Sequence, residues 1–151
     1  MILEAKPGVF TGGRLVADGI AVPVERRPGG WHFIPGPGPE EGGQVRYGGW
    51  SSRITAARAE GILEIRFGWS RGTFEHRGRS YVVTFSFFGR VRVEGETGIV
   101  ASGGSTWGGL RLEWVPSDLG AFVREITFGL ALKALADDAV LLAAGTHAGV
   151  A

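Results

Sequence analysis

The sequence predicts a mainly β protein: an antiparallel barrel of about nine to eleven strands closed around one hydrophobic C-terminal helix. Three observations carry that expectation. Short runs in which apolar and polar residues alternate recur between glycine-rich breaks as far as about residue 115. The chain has 27 glycines and 7 prolines with no three-residue period, so tight turns abound and a collagen-like chain is excluded. Finally the period changes: "ITFGLALKALADDAVLLAAG", Ile126 to Gly145, is apolar on every side of a helix. Such a helix must be covered all round, which in 151 residues requires an enclosing barrel or a partner protein. The whole chain, 1–151, reads as one domain, with strands over 1–115 and the helix over about 117–144.

The elements follow in order. The first breaks are "ADG" and "RPGG", and between them "IAVPVE" places Ile20, Val22 and Val24 on one face. Pro23 lacks an N–H and marks an edge strand or a bulge. "WHFI" follows, then the breaker-rich loop "PGPGPEEGG", Pro35 to Gly43. "VRYGGW" and "SSRITAARA" are weaker strand candidates, whereas "ILEIRFGW" sets Leu63, Ile65, Phe67 and Trp69 against Glu64 and Arg66. "TFEHRGRSYVVTFSFFG" turns at Arg77-Gly78 and presents Tyr81, Val83, Phe85 and Phe87 to one side. "RVRVE" points Val91 and Val93 inward, "GETG" turns, "GIVAS" returns, and "LRLEWV" presents Leu110, Leu112 and Trp114.

The helix follows Pro116, with Ser117 or Asp118 as its expected cap. At about 100° per residue, Ile126, Leu130 and Leu141 fall on one side, Phe128, Leu135 and Leu142 on the opposite side, and Leu132 in a third sector. The charges scatter instead of forming a stripe, and Lys133 stands four residues before Asp137, at pairing distance.

Composition excludes several function classes. Sixteen basic and fifteen acidic residues leave a net charge of +1, so no global field draws the chain to nucleic acid or membrane, and any such attraction must come from a local patch. With no cysteine there are no disulfides or thiolate metal sites, which fits a cytoplasmic protein. "MILEAKPGVF" does not read as a signal peptide, and the uncharged helical stretch is too short to span a bilayer. His32, His76 and His147 lie far apart, Glu40-Glu41 and Asp137-Asp138 read as solvated or capping charge, and no G-x-S-x-G elbow occurs. "GGSTWGG" lacks the Lys-Ser/Thr of a phosphate loop, and "RGRSYVVTF" departs from the RNA-binding octamer at Arg79, Ser80 and Thr84. No catalytic residue, metal or cofactor is therefore expected.

What remains is arginine, fourteen of them against two lysines. From Arg66 to Arg92 the only acid is Glu75, and Arg71, Arg77, Arg79, Arg90 and Arg92 are the candidate phosphate ligands, because a guanidinium fork matches phosphate geometry. The turn residues Arg71, Arg77 and Arg79 are the least committed to cross-strand pairing. The competing account makes Arg66, Arg90 and Arg92 the outward residues of amphipathic strands, paired with Glu64 and Glu94.

The order of these segments resembles the tubby-like barrel family, which includes LURP-one-related and phospholipid-scramblase-like proteins. "FEHRGRSYVV" is similar to its strand–turn–strand with a tyrosine after the turn, "VRVEGETGIVAS" to the following hairpin, and "SDLGAFVREITFGLALKAL" to its plug helix. The chain is short for that family, and Lys133 with Asp137-Asp138 interrupts the apolar run. The resemblance implies a closed barrel around a C-terminal helix and binding to phosphoinositide or other phospholipid head groups. A pleckstrin-homology-like fold would instead require a one-sided helix. The expectation is thus a non-enzymatic module that binds anionic membrane lipid, cytoplasmic or peripheral at the membrane, with a protein-interaction scaffold as the alternative.

Overall fold

The structure, a computed structural model, describes residues 1–8, 13–34, 42–48, 52–68, 70–86 and 89–137, and the backbone of the terminal helix to Val150. Trp69, Phe87, Glu40 and Glu41, most of the Pro35–Gly43 loop, and the side chains of Asp138, Leu141, Leu142 and His147 lie outside the described residues.

The strands are β1 (Ile2–Lys6), β2 (Gly13–Ala17), β3 (Ile20–Arg27), β4 (Gly30–Phe33), β5 (Gln44–Gly48), β6 (Arg53–Arg58), β7 (Gly61–Phe67), β8 (Arg71–His76), β9 (Arg79–Phe85), β10 (Arg90–Gly95), β11 (Gly98–Thr106) and β12 (Gly109–Trp114), followed by helix α1 (Phe122–Val150). Each pairs antiparallel with the next, and β1 closes the barrel against β12 through Leu3↔Leu112 and Glu4↔Arg111. This is the expected barrel with a C-terminal helix, but with twelve strands. The uncounted elements include the first hairpin. In β1 and β2 the inward residues are Leu3, Ala5, Leu15 and Ala17, and alanine at an inward position weakens the alternation a strand needs to be seen.

Closure leaves no edge for Pro23. Its carbonyl accepts from Ile34 N at 3.0 Å, so its nitrogen faces the same side, past the last residue of β4, where no ladder bond is lost. Two hairpins turn as their sequences require. Asp18-Gly19 and Arg77-Gly78 have φ of 46° and 84°, and 51° and 76°, the left-handed pair of a type I′ turn.

Inside the wall, Leu63, Ile65, Tyr81, Val83, Val91, Val93, Leu110, Leu112 and Trp114 are buried as the alternation predicts. Phe67 and Phe85 are half-buried. Val24 is buried, whereas Ile20, at the rim on the same strand, is 72% exposed.

The helix starts at Phe122, five residues later than expected, and runs to Val150. Asp118 is not its cap. The Tyr81 hydroxyl donates to its carboxylate, Ser117 Oγ accepts from Leu119 N at 3.3 Å, and Gly120 turns at φ 55°. From Phe122 to Lys133 nearly every helical side chain is buried, including Ile126, Phe128, Leu130 and Ala131 at 0% exposure. Phe128 sits between Trp31 and Phe33, with ring centroids 5.2 and 5.6 Å away. At Gly129 the helix passes so close to β6 that a Cβ would collide with Ile54. The helix backbone lies near β12, β1, β5 and β6, and on the far side aromatic rings fill the lumen, Phe74 stacking on Tyr81 at 4.9 Å.

Candidate functional site

The helix gives the barrel a direction. It enters through an upper mouth, where Phe122 meets His76 at 5.3 Å, and reaches a lower mouth at Lys133 and Asp137. Strand polarity assigns every strand end to one mouth or the other.

That assignment divides the five candidate arginines. Arg71 and Arg92 both register with Thr84 and point outward on either side of it, and Arg90 lies two residues from Arg92 toward the lower mouth. Arg77 and Arg79 belong to the upper mouth, about 17 Å away along β9. Arg79 already faces Asp118 at 3.8 Å and Arg92 faces Glu94 at 2.7 Å, while Arg66 faces Glu64 at 3.2 Å. The strand-pairing account therefore holds for Arg66 and Arg92, and no single surface gathers all five.

A different collection emerges at the lower mouth. Lys6 ends β1, Arg14 is the second residue of β2, and Arg26 and Arg27 end β3. Arg53, Arg66, Arg71 and Arg90 occupy the last two positions of β6, β7, β8 and β10 at the same mouth, where no described acid holds such a position, although Glu4, Glu25 and Glu64, farther along β1, β3 and β7, pair with Lys6, Arg27, Arg53 and Arg66. The upper mouth is the reverse, with Asp18, Glu60, Glu75, Glu94, Glu96, Glu113 and Asp118 at strand ends and turns against Arg58, Arg77 and Arg79. Antiparallel strands bring these charges together from segments far apart in the chain, so a net charge of +1 conceals two poles.

Apolar groups accompany the basic pole. A cleft of about 810 Å³ opens beside the emerging helix, lined by Arg26, Arg27, Arg46, Trp31, Tyr47, Leu132 and Leu135. Arg26 lies 5.8 Å from the Trp31 ring centre. Burial, and then Asp137, push the Tyr47 hydroxyl's pKa above its ordinary value. Trp107, at the tip of the β11–β12 hairpin, is 95% exposed.

Lys133 closes the barrel at this mouth. Its side chain is 7% exposed, Nζ donates to Asp137 Oδ2 at 2.7 Å, and the ammonium lies 4.9 and 5.5 Å from the Phe67 and Phe85 ring centres. The i, i+4 pairing read from the sequence is present.

Two buried polar clusters were not legible. Glu125, fully buried, accepts from Arg58 Nη1 at 2.6 Å, while its Oε2 and Arg58 Nε have no hydrogen-bond partner among the described residues. Burial raises the Glu125 carboxyl above the usual carboxylate range, and Arg58 opposes the rise. At Tyr81, burial and then the bond to Asp118 push the hydroxyl up to about 12, and that bond holds Asp118 low. Both clusters tie the start of the helix to the wall.

Among the described residues no three His, Cys, Asp or Glu side chains are placed to hold a metal ion, and no helix is long and apolar enough to cross a membrane. The wall is charged outside and apolar inside, the reverse of a membrane-spanning barrel. No family model, curated protein or solved structure matches this chain.

Proposed function

We propose that this protein is a non-enzymatic binding module whose lower mouth docks on anionic phospholipid, and that it is a member of the tubby-like barrel group it resembles. The observation that carries the reading is the collar of strand-end cations from Lys6 to Arg90: Lys6, Arg27, Arg53 and Arg66 pair with Glu4, Glu25 and Glu64 farther along the strands, and Arg14, Arg26, Arg71 and Arg90 have no ion-pair partner among the described residues. A basic ring around a barrel mouth meets a flat, negatively charged surface with many weak contacts at once. Trp107 and the Arg-, Trp- and Leu-lined cleft add what a lipid interface needs besides charge, amphipathic rings at head-group depth and an apolar recess.

Sedimentation with phosphatidylserine vesicles tests this. Binding should weaken as salt rises, because exposed charges are screened over about 8 Å at physiological ionic strength. Arg14, Arg46 and Arg71 have no ion-pair partner among the described residues, so reversing them to glutamate should abolish sedimentation while leaving the melt unchanged. Reversing Arg77 and Arg79 should have little effect. Failure of the wild-type protein to sediment at low salt refutes the proposal.

One observation favours the scaffold alternative. Met1, Ile2, Ile20, Ile99 and Val115 are all exposed around the acidic upper mouth, an aliphatic arc suited to a protein partner.

A further inference from the structure

We propose that the outer wall of β10, β11 and β12 holds an anionic polyol, a sugar ring carrying one phosphate or sulfate ester, over the segment Ser102–Ser105.

Strand register builds the site. Gly104 in β11 lies opposite Arg90 in β10 and Arg111 in β12. Arg90 and Arg111 are exposed and point outward, their strands about 10 Å apart with β11 between them. Gly104 lets the segment before β10 approach β11 closely, since a Cβ there would stand 3.0 Å from the Gly89 carbonyl oxygen. Two residues along, Ser102 is flanked in the same way by Arg92 and Glu113.

Hollows of about 680 and 350 Å³ lie on either side of this segment and share Ser102–Ser105 as their lining. Thr84 and Ser86 bring hydroxyls to the larger, and Thr106 and Glu113 line the smaller. Thr106 Oγ1 is buried and has no hydrogen-bond partner.

The chemistry of the ligand follows from these groups. Arg92 is committed to Glu94 at 2.7 Å, but Arg90 and Arg111 have no ion-pair partner among the described residues. Planar guanidiniums in the hollows on either side of β11, Arg90 in the larger and Arg111 in the smaller, suit a tetrahedral oxyanion, which accepts paired hydrogen bonds from a guanidinium fork. The Gly103-Gly104 backbone lets the flat face of a ring approach, and the serine and threonine hydroxyls exchange hydrogen bonds with ring hydroxyls. Glu113 accepts from a ring hydroxyl and repels a second anionic group, so the ligand carries one ester and not several. The wall shares Arg90 with the basic mouth but needs no membrane.

Titration of the ¹⁵N-labelled full chain with glucose 6-phosphate tests the assignment. Amide signals of Ser102 to Ser105 should shift saturably, with glucose and inorganic phosphate each binding far more weakly. Arg90→Gln with Arg111→Gln should weaken binding by about tenfold or more with an unchanged melt, since both side chains are exposed. Arg77→Gln with Arg79→Gln, at the other mouth, should leave the titration unaltered. Absence of shifts in this segment overturns the proposal. Equal shifts with inorganic phosphate that persist in the Arg90/Arg111 variant also overturn it. The titration contains no lipid, so its failure leaves vesicle docking standing, and failed sedimentation leaves this site standing.

Discussion

Replacing Arg58 by alanine tests how the helix is held inside the barrel. The guanidinium is the hydrogen-bond partner of Glu125, a carboxylate with no exposed surface, and its loss leaves a buried charge beside the backbone of Gly43. The least costly escape is for Glu125 to take up a proton. Holding a carboxyl neutral at pH 7, when its unfolded value is near 4.3, costs about 3.7 kcal/mol, and at pH 5 only about 1 kcal/mol. Removing one member of a buried ion pair costs about 3–5 kcal/mol, a range that includes the neutral-pH figure.

The sign follows from the raised carboxyl pKa. The native state keeps its proton to higher pH than the unfolded chain, so stability is greatest below the unfolded value and is lost as pH rises through the native one. Without Arg58 the native value rises further and the loss extends to higher pH. The melting temperature of the variant should therefore fall below wild type by about 8–15 °C at pH 7 and by only a few degrees at pH 5. Glu125→Gln in the Arg58→Ala background should restore much of the stability at pH 7 and flatten the pH profile. Thermal melts followed by circular dichroism between pH 5 and 7.5 read both effects. Parallel profiles for wild type and Arg58→Ala would refute the argument.

Further tests follow from the same burial. Leu130→Asp places a charge at a fully buried helical position and should cost about 4 kcal/mol or more, leaving near-UV circular dichroism without tertiary signal. Lys133→Met should be tolerated within about 1 kcal/mol in denaturant melts, because Asp137 is half-exposed and can be solvated. Asp137→Ala should cost more, about 1–2 kcal/mol, because the ammonium it strands is nearly buried. Tyr81→Phe should cost about 1–2 kcal/mol at neutral pH. Asp118 is held low in the native state, so its stabilising contribution is present above the ordinary carboxylate value and lost as pH falls through the native one. In Tyr81→Phe that acid limb should shrink, which melts between pH 3 and 6 would record.

The fold was legible because its signals are local. Leu63 and Ile65, or Leu110 and Leu112, announce an inward face by period alone, and Phe128 with Leu130 on opposite sides of a helix announces enclosure. The first hairpin was harder to read because Ala5 and Ala17 fill two of its four inward positions. The helix start was misplaced because Asp118 looks like a cap in one dimension, and only the folded barrel brings Tyr81 to its carboxylate. Pairs such as Arg58 with Glu125, 67 residues apart, leave no trace in local periodicity. The arginine cluster failed for a related reason: closeness in sequence put Arg71 and Arg77 together, while one strand, β8, carries them to opposite mouths.

The plug and the charge poles follow from one topology. An up-and-down barrel sends successive connections alternately to its two mouths, so a residue type placed at every second connection accumulates at one end. Cations at the lower ends of β1, β2, β3, β6, β7, β8 and β10 use that rule, and the helix completes it. Its buried stretch, Phe122 to Lys133, is about 18 Å long, comparable to a strand of five or six residues. The full 29 residues measure about 43 Å. The helix therefore outruns the wall that covers it, and the lower mouth is where its cover ends. Lys133, held between Phe67 and Phe85, marks that level: Leu132 and the three residues after Lys133 are half-buried, and Asp137 is exposed.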